Sequence, residues 1–300
     1  MHHKIEDHDR GLSHDLLVLN RLLGRRRALG LLGAASTAAL VTGCGGDDSS
    51  TSGTATATPT PTPSATATAT PTPTPTATAT STTCDTAAGE TAGPYPADGT
   101  NSSNGVTSNA LVVSGVERSD IRSSFINSST VAAGVPLTLT MTLLDVNSSC
   151  ASLAGYAVYL WHCDANGEYS LYDLPTESYL RGVQVTDANG QVTFQTIVPG
   201  CYAGRYPHMH FEVFSSLDNA TSGRFAVLTS QLAMTESVCS AVYSGNSNYG
   251  TSQSNFASVS IAGDNVFGDN TDAQMAVMTP TFSGNVSSGY TGETTIGIAT

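Results

Sequence analysis

His208 and His210 stand two residues apart in Pro207-His208-Met209-His210-Phe211-Glu212-Val213. On a strand, that spacing sends both imidazoles to one face and Met209, Phe211 and Val213 to the other. The apolar face can rest on a core, which leaves the histidine face free to take a metal. Tyr202 precedes His208 by six residues, and Tyr169 closes the upstream run Asp164-Ala165-Asn166-Gly167-Glu168-Tyr169. A bound metal displaces the phenolic proton, although the ordinary phenol pKa is about 10. Two imidazoles and two phenolates form a hard-to-borderline set of N and O donors. Such a set suits ferric iron better than zinc or copper(I), which prefer thiolates. A lone His-x-His pair is more often ordinary strand packing than a metal site. The chain also has eleven tyrosines, so the weight falls on the arrangement.

That arrangement is specific. Phe194-Gln195-Thr196-Ile197-Val198-Pro199-Gly200-Cys201-Tyr202 ends one expected strand on a tyrosine, and Gly167-Glu168-Tyr169 ends another. Arg205 stands three residues before His208. Trp161 to Tyr169, Arg181-Gly182, Phe194 to Tyr202 and Arg205 to Phe211 together resemble the motifs of the intradiol ring-cleavage dioxygenases of the catechol, protocatechuate and hydroxyquinol type. The resemblance covers residues 84–240 and is strongest over 155–213.

The resemblance implies an all-β fold, a β-sandwich, with Fe(III) held by Tyr169, Tyr202, His208 and His210. It implies a small aromatic diol and dioxygen as substrates, with the ring opened between its hydroxyls to a muconate-type dicarboxylate. By the same resemblance, Tyr202 is the phenolate that leaves the metal as substrate binds, and Arg205 stabilises negative charge developing on the substrate. Gln231 is implied beside the metal, and Pro94 and Tyr95 beside the substrate ring. The six residues from Tyr202 to His208 are fewer than in the best-known members, which implies a differently shaped pocket mouth.

Two other functions compete. Glu212 shares the histidine face and would serve a hydrolytic metal site as ligand or base, but that leaves both tyrosines unexplained. A non-catalytic surface module binding a ligand or iron fits the composition equally well. His162 lies close to Tyr169 in sequence but outside the family's metal set.

The elements that must position these residues occupy only part of the chain. Residues 1–43 read as a signal peptide: Arg25-Arg26-Arg27 precedes the short apolar run Ala28–Thr42, and Val41-Thr42-Gly43-Cys44 resembles a lipobox. Lipid on Cys44 would anchor the protein to a bacterial membrane from the extracytoplasmic side. Residues 44–83 are a Thr/Pro/Ala-rich tract with too little apolar side chain to form a core, read as a disordered linker. Residues 84–300 remain for one β-sandwich domain.

After Gly43 the chain keeps five arginines and no lysine against twenty acidic residues. That balance repels phosphate backbones and excludes nucleic acid as a partner. The cysteines beyond the lipobox are Cys84, Cys150, Cys163, Cys201 and Cys239. An oxidising compartment favours disulfides among them, with pairing left open, as is the oligomeric state. Leu137-Thr138-Leu139-Thr140-Met141-Thr142-Leu143 is the clearest strand. Further strands are expected at 106–114, 155–163, 183–186, 191–198, 207–214, 225–234, 256–262, 274–279 and 290–298, and no convincing helix.

Overall fold

The computed structural model describes residues 84–103 and 106–300. Cys44, the apolar run before it and the Thr/Pro tract lie outside the described residues. Strands β1 (Asp98–Ser103) and β2 (Val106–Asn109) pair as an antiparallel hairpin. They are followed by β3 (Pro136–Asp145), β4 (Ala151–Ser152), β5 (Ala157–Trp161), β6 (Arg181–Val185), β7 (Gln191–Ile197), β8 (His208–Phe214) and β9 (Leu228–Ala233). Helices α1 (Glu236–Gly245), α2 (Ser252–Phe256) and α3 (Asp272–Met278) then lead to β10 (Thr281–Asn285) and β11 (Gly289–Ile298).

The strands form two larger sheets. One has the order β10-β11-β3-β4, with β7 also paired to β3, and the other runs β6-β5-β8-β9. β11 lies parallel to β3, with Tyr290 opposite Leu137 and Ile298 opposite Asp145. The expected alternation places Leu137, Leu139, Met141 and Leu143 of β3 inward, where they meet Phe194 of β7, Val158 and Leu160 of β5, and Met209, Phe211 and Val213 of β8. This is the β-sandwich read from the sequence. Removing one of these rings, as in Phe211→Ala, would cost about 3–5 kcal/mol.

The histidine face of β8 departs from expectation. It is not open: all seven residues of β8 are buried. Its second face is covered by another apolar group containing Tyr159, Trp161 and Tyr169. A central strand covered on both sides gives up the alternation of a half-exposed one.

The three helices correct the expectation of none. The segment 256–262 is the end of α2, a turn and a 3₁₀ turn, and 274–279 lies mostly in α3. α3 starts with a capping box, in which Thr271 Oγ1 accepts from the Gln274 N–H and Gln274 Oε1 from the Thr271 N–H. α1 buries Val238, Cys239, Val242 and Tyr243 along one stripe. Ser and Gly on the other face of α1 obscure this pattern in the sequence. Cys84 and Cys150 form a disulfide, whereas Cys163, Cys201 and Cys239 are buried free thiols. Among the described residues, no helix is long and apolar enough to cross a membrane.

Candidate metal centre

β5 and β8 pair antiparallel with Trp161 opposite His210, and β8 and β9 pair with Gln231 opposite His210. The pairing puts Trp161 against the His210 ring, stacked at 5.0 Å between centroids. Beyond Trp161 the chain leaves the sheet. Tyr169 therefore sits on a loop rather than at a strand end, and Tyr202 lies on the loop after β7. Asp164 shapes the first loop by accepting from the Asn166 and Glu168 N–H groups on Oδ1 and from the Tyr179 hydroxyl on Oδ2. Gly167, at φ 83°, leaves no room for a side chain, since a Cβ there would stand 2.9 Å from Tyr202 Cβ. That close approach brings the two phenol-bearing loops together.

Four donor atoms converge. His208 Nε2 lies 3.0 Å from His210 Nε2, 3.2 Å from the Tyr202 hydroxyl and 3.5 Å from the Tyr169 hydroxyl. His208 Nδ1 lies 2.6 Å from the Tyr206 carbonyl oxygen, which can only accept. The Nδ1 therefore carries the proton, and Nε2 presents a lone pair. Burial pushes both imidazoles well below their ordinary pKa, with Arg205 adding to this at His208 and His208 adding to it at His210. Burial likewise pushes the Tyr169 and Tyr202 phenols up, and Arg205 opposes this at Tyr202.

A metal fits this set on three grounds. Two neutral imidazole nitrogens face each other at 3.0 Å, which leaves a lone-pair repulsion unless a proton or cation sits between them. His210 Nδ1 is buried with no hydrogen-bond partner among the described residues, so the protein itself does not fix that ring's tautomer. Ligands about 2.0–2.1 Å from an ion stand about 3 Å apart when adjacent, close to the spacings found here. No three His, Cys, Asp or Glu side chains are placed to hold a metal among the described residues; the set found here draws half its donors from tyrosine.

Arg205 and Gln231 flank the centre. Gln231 is fully buried and not a surface residue of its strand. Its Oε1 accepts from Arg205 Nη2 at 2.7 Å, and its Nε2 donates to the Thr91 carbonyl at 2.8 Å. Arg205 Nε donates to Asp264 Oδ2 at 2.9 Å. Asp264 also accepts the N–H groups of Tyr206, Val266 and Phe267. Asp264 has no signal in the sequence beyond being one of many acids, and fifty-nine residues separate it from its arginine.

The segment before β1 roofs the histidines. A Cβ on Gly93 would meet His210 Cε1 at 3.2 Å, and the Tyr95 ring packs 5.0 Å from both Tyr169 and Tyr172. Pro94 lies between them and is exposed. Arg181, fully buried, fastens this roof by donating to Pro96 O, Ser170 Oγ and Ser170 O.

The remaining sequence candidates are spent elsewhere. His162 bonds Thr196 Oγ1 and the Cys163 carbonyl, and burial pulls it down to about 4. Glu212 turns to Asp98, and burial followed by that neighbouring acid raises it to about 9. A neutral carboxyl held against another acid is a poor third ligand for a hydrolytic metal.

The family model described as Dioxygenase matches residues 117–221, a span that contains Tyr169, Tyr202, Arg205, His208 and His210. The fold is intradiol-dioxygenase-like. An intradiol ring-cleavage dioxygenase from Tetranychus urticae superposes with a TM-score of 0.54 at 24% identity, covering 72% of this chain and 95% of that one. The dioxygenase domain of a carbohydrate-binding fusion from Streptomyces sp. SirexAA-E matches at 22% identity, 72% and 99% coverage and a TM-score of 0.43. The catechol 1,2-dioxygenase of Acinetobacter sp. ADP1 matches at 17% identity, 61% and 58% coverage and a TM-score of 0.36. No curated protein matches the chain. The sandwich expected from the sequence motifs is thus the fold of the Tetranychus enzyme.

Proposed function

We propose that this domain is a non-haem ferric dioxygenase that opens a catechol-type ring between its two hydroxyls. The observation that carries this reading is the convergence of the two tyrosine hydroxyls and His210 Nε2 within 3.0–3.5 Å of His208 Nε2, with the Arg205 guanidinium alongside. Tyr169, Tyr202, His208 and His210 would hold the iron. A ferric ion bound there would supply Lewis acidity and a template for both ring oxygens.

The side chains divide the remaining work. The Tyr206 carbonyl holds His208 in one tautomer, so its Nε2 stays a donor. Tyr202 is partly exposed while Tyr169 is buried. The Tyr202 oxygen is therefore the one placed to receive a proton from an incoming ring hydroxyl. Arg205, fixed by Asp264 and Gln231, presents positive charge where the ring becomes electron-rich. The roof at Gly93–Tyr95 and the Trp161 ring keep bulk water from the histidines, which strengthens these electrostatic effects.

We further propose that the chain is exported and held at a bacterial membrane through lipid on Cys44, with the Thr/Pro tract as a spacer. The Val41-Thr42-Gly43-Cys44 sequence after a short apolar run supports this.

The test is metal content, colour and turnover of the purified full chain. One iron per chain is expected, with the red colour of phenolate-to-iron charge transfer and muconate formation from catechol with uptake of dioxygen. A zinc-loaded protein, or an iron-free one still able to open catechol, would overturn the assignment. A red protein without turnover would be an iron-binding module instead.

A further inference from the structure

Acids stand on two sides of the partly exposed edge of the donor set. Gly93, Tyr95, Tyr202 and Arg205 border it and are each partly covered. On one side stands Glu90, half buried, whose Oε1 accepts from Asn270 Nδ2 at 2.9 Å and whose N–H donates to Thr229 O. Its neighbour Thr91 holds Gln231, and Asp269 is exposed next to Asn270. On the other side Asp173, also exposed, accepts the Tyr169 N–H on Oδ2 at 3.0 Å, and Glu168 lies exposed beside it. These charges share one field. Burial raises the Glu90 carboxyl and Asp269 adds to this, while Arg205 opposes it. Burial raises the Tyr95 phenol, with Asp173 adding to it.

Among the described residues, most cations are held away from them. The described residues contain no lysine. Arg118 is spent on backbone carbonyls such as Arg181 O, Arg122 on Asp120, and Arg181 on the roof. Arg205 is bound to Asp264 and Gln231. Arg224 lies in the Gly223–Phe225 turn. A ring carboxylate entering here would find acids on both sides and, in Arg205, a guanidinium already paired to Asp264 and Gln231, whereas an ammonium group would find partners.

We propose that the site selects catechols with a neutral or cationic ring substituent, favouring an alkylammonium, and rejects ring carboxylates. The proposal takes the ferric catechol site as given. At a partly wet opening, each nearby charge changes affinity by a few-fold, and several together by about tenfold.

The experiment titrates the iron-loaded full chain, without oxygen, with catechol, 3,4-dihydroxybenzoate and dopamine, following binding by calorimetry and by the visible band. The same three rings are then assayed for turnover in air. Dopamine should bind a few-fold more tightly than catechol, and 3,4-dihydroxybenzoate about tenfold more weakly. The spread should shrink in about 0.5 M salt, and in Glu90→Gln and Asp173→Asn. Equal binding of 3,4-dihydroxybenzoate and catechol, or an order untouched by salt and by both substitutions, overturns the proposal. The expected binding order without ring opening would overturn the proposed reaction and leave the charge selection standing. Ring opening with equal kcat/KM and equal affinity for all three would do the reverse. Binding of none of them would overturn both.

Discussion

Arg205 and Asp264 form a two-pronged ion pair across fifty-nine residues of chain, Nε to Oδ2 at 2.9 Å and Nη2 to Oδ1 at 3.3 Å. The Asp264 side chain is fully covered and that of Arg205 is 15% exposed. The pair ties the loop carrying Tyr202 to the segment between α2 and α3, and it aims the guanidinium at Gln231.

Arg205→Ala should therefore act twice. Loss of one preorganised charge donor slows chemistry by about 10²–10³. The Asp264 carboxylate, left with its three backbone N–H donors, adds about 1–3 kcal/mol of destabilisation. A fall in melting temperature alone does not separate a structural arginine from a catalytic one here. The deciding measurement is ring opening per bound iron. Asp264→Asn should reduce that rate by about tenfold, because Arg205 keeps its charge but loses its fork. Unchanged turnover per iron in Arg205→Ala would remove the arginine from the chemistry.

His162 makes the domain acid-sensitive. Its folded pKa is about 4 against an ordinary 6.5, so the unfolded chain binds the extra proton first as pH falls. Stability present above pH 6.5 should be lost down to pH 4, by about 3 kcal/mol in total. Melting curves at neutral pH and near pH 4.5 should show a smaller difference for His162→Gln than for the parent chain. Equal slopes would mean that His162 is protonated without cost.

Cys84→Ser should lower the melting temperature. The disulfide closes a loop with a sequence separation of 66, worth about 4 kcal/mol through the unfolded chain. That corresponds to roughly 10 °C for a domain of this size. Reductant should reproduce the shift in the parent and do nothing further to the variant. An unshifted Cys84→Ser would show that the bridge adds no stability.

Cys44→Ser should leave unprocessed precursor or a soluble product if lipid is carried there. Fractionation of bacterial cells expressing each form, with mass analysis of the N-terminus, checks this. Normal processing and continued membrane partitioning of the variant would rule out the anchor.

The donor set was legible because its signals are short. A period of two places His208 and His210 on one face, and the two tyrosine motifs need only local turns to bring them in. The sheets were legible for the same reason, as in the strict alternation of β3. What escaped depends on long-range partners. Asp264 is indistinguishable from other acids until the fold brings it to Arg205. The Cys84–Cys150 bridge is one of several pairings the chain allows. α1 hides behind Ser and Gly, whereas the Thr271/Gln274 capping box of α3 is a local signal that the sequence does carry. The roof over β8 escaped because a loop that covers a strand leaves no periodicity of its own.

The contact between Gly167 and Tyr202 determines how the second phenol can move. The backbone just before it is also held, with the Cys201 N–H on Ser252 Oγ at 2.9 Å and the Cys201 carbonyl taking Asn255 Nδ2 at 2.8 Å. A tyrosine held at its root by this packing and by the residue before it has little room to retreat by bending the loop on that side. The travel left to it is rotation about its own side-chain bonds, toward the partly exposed side. Tyr169, buried on all sides, has no such swing. The two phenols are chemically alike, but the chain has made one a fixed post and the other a gate hung at Cβ.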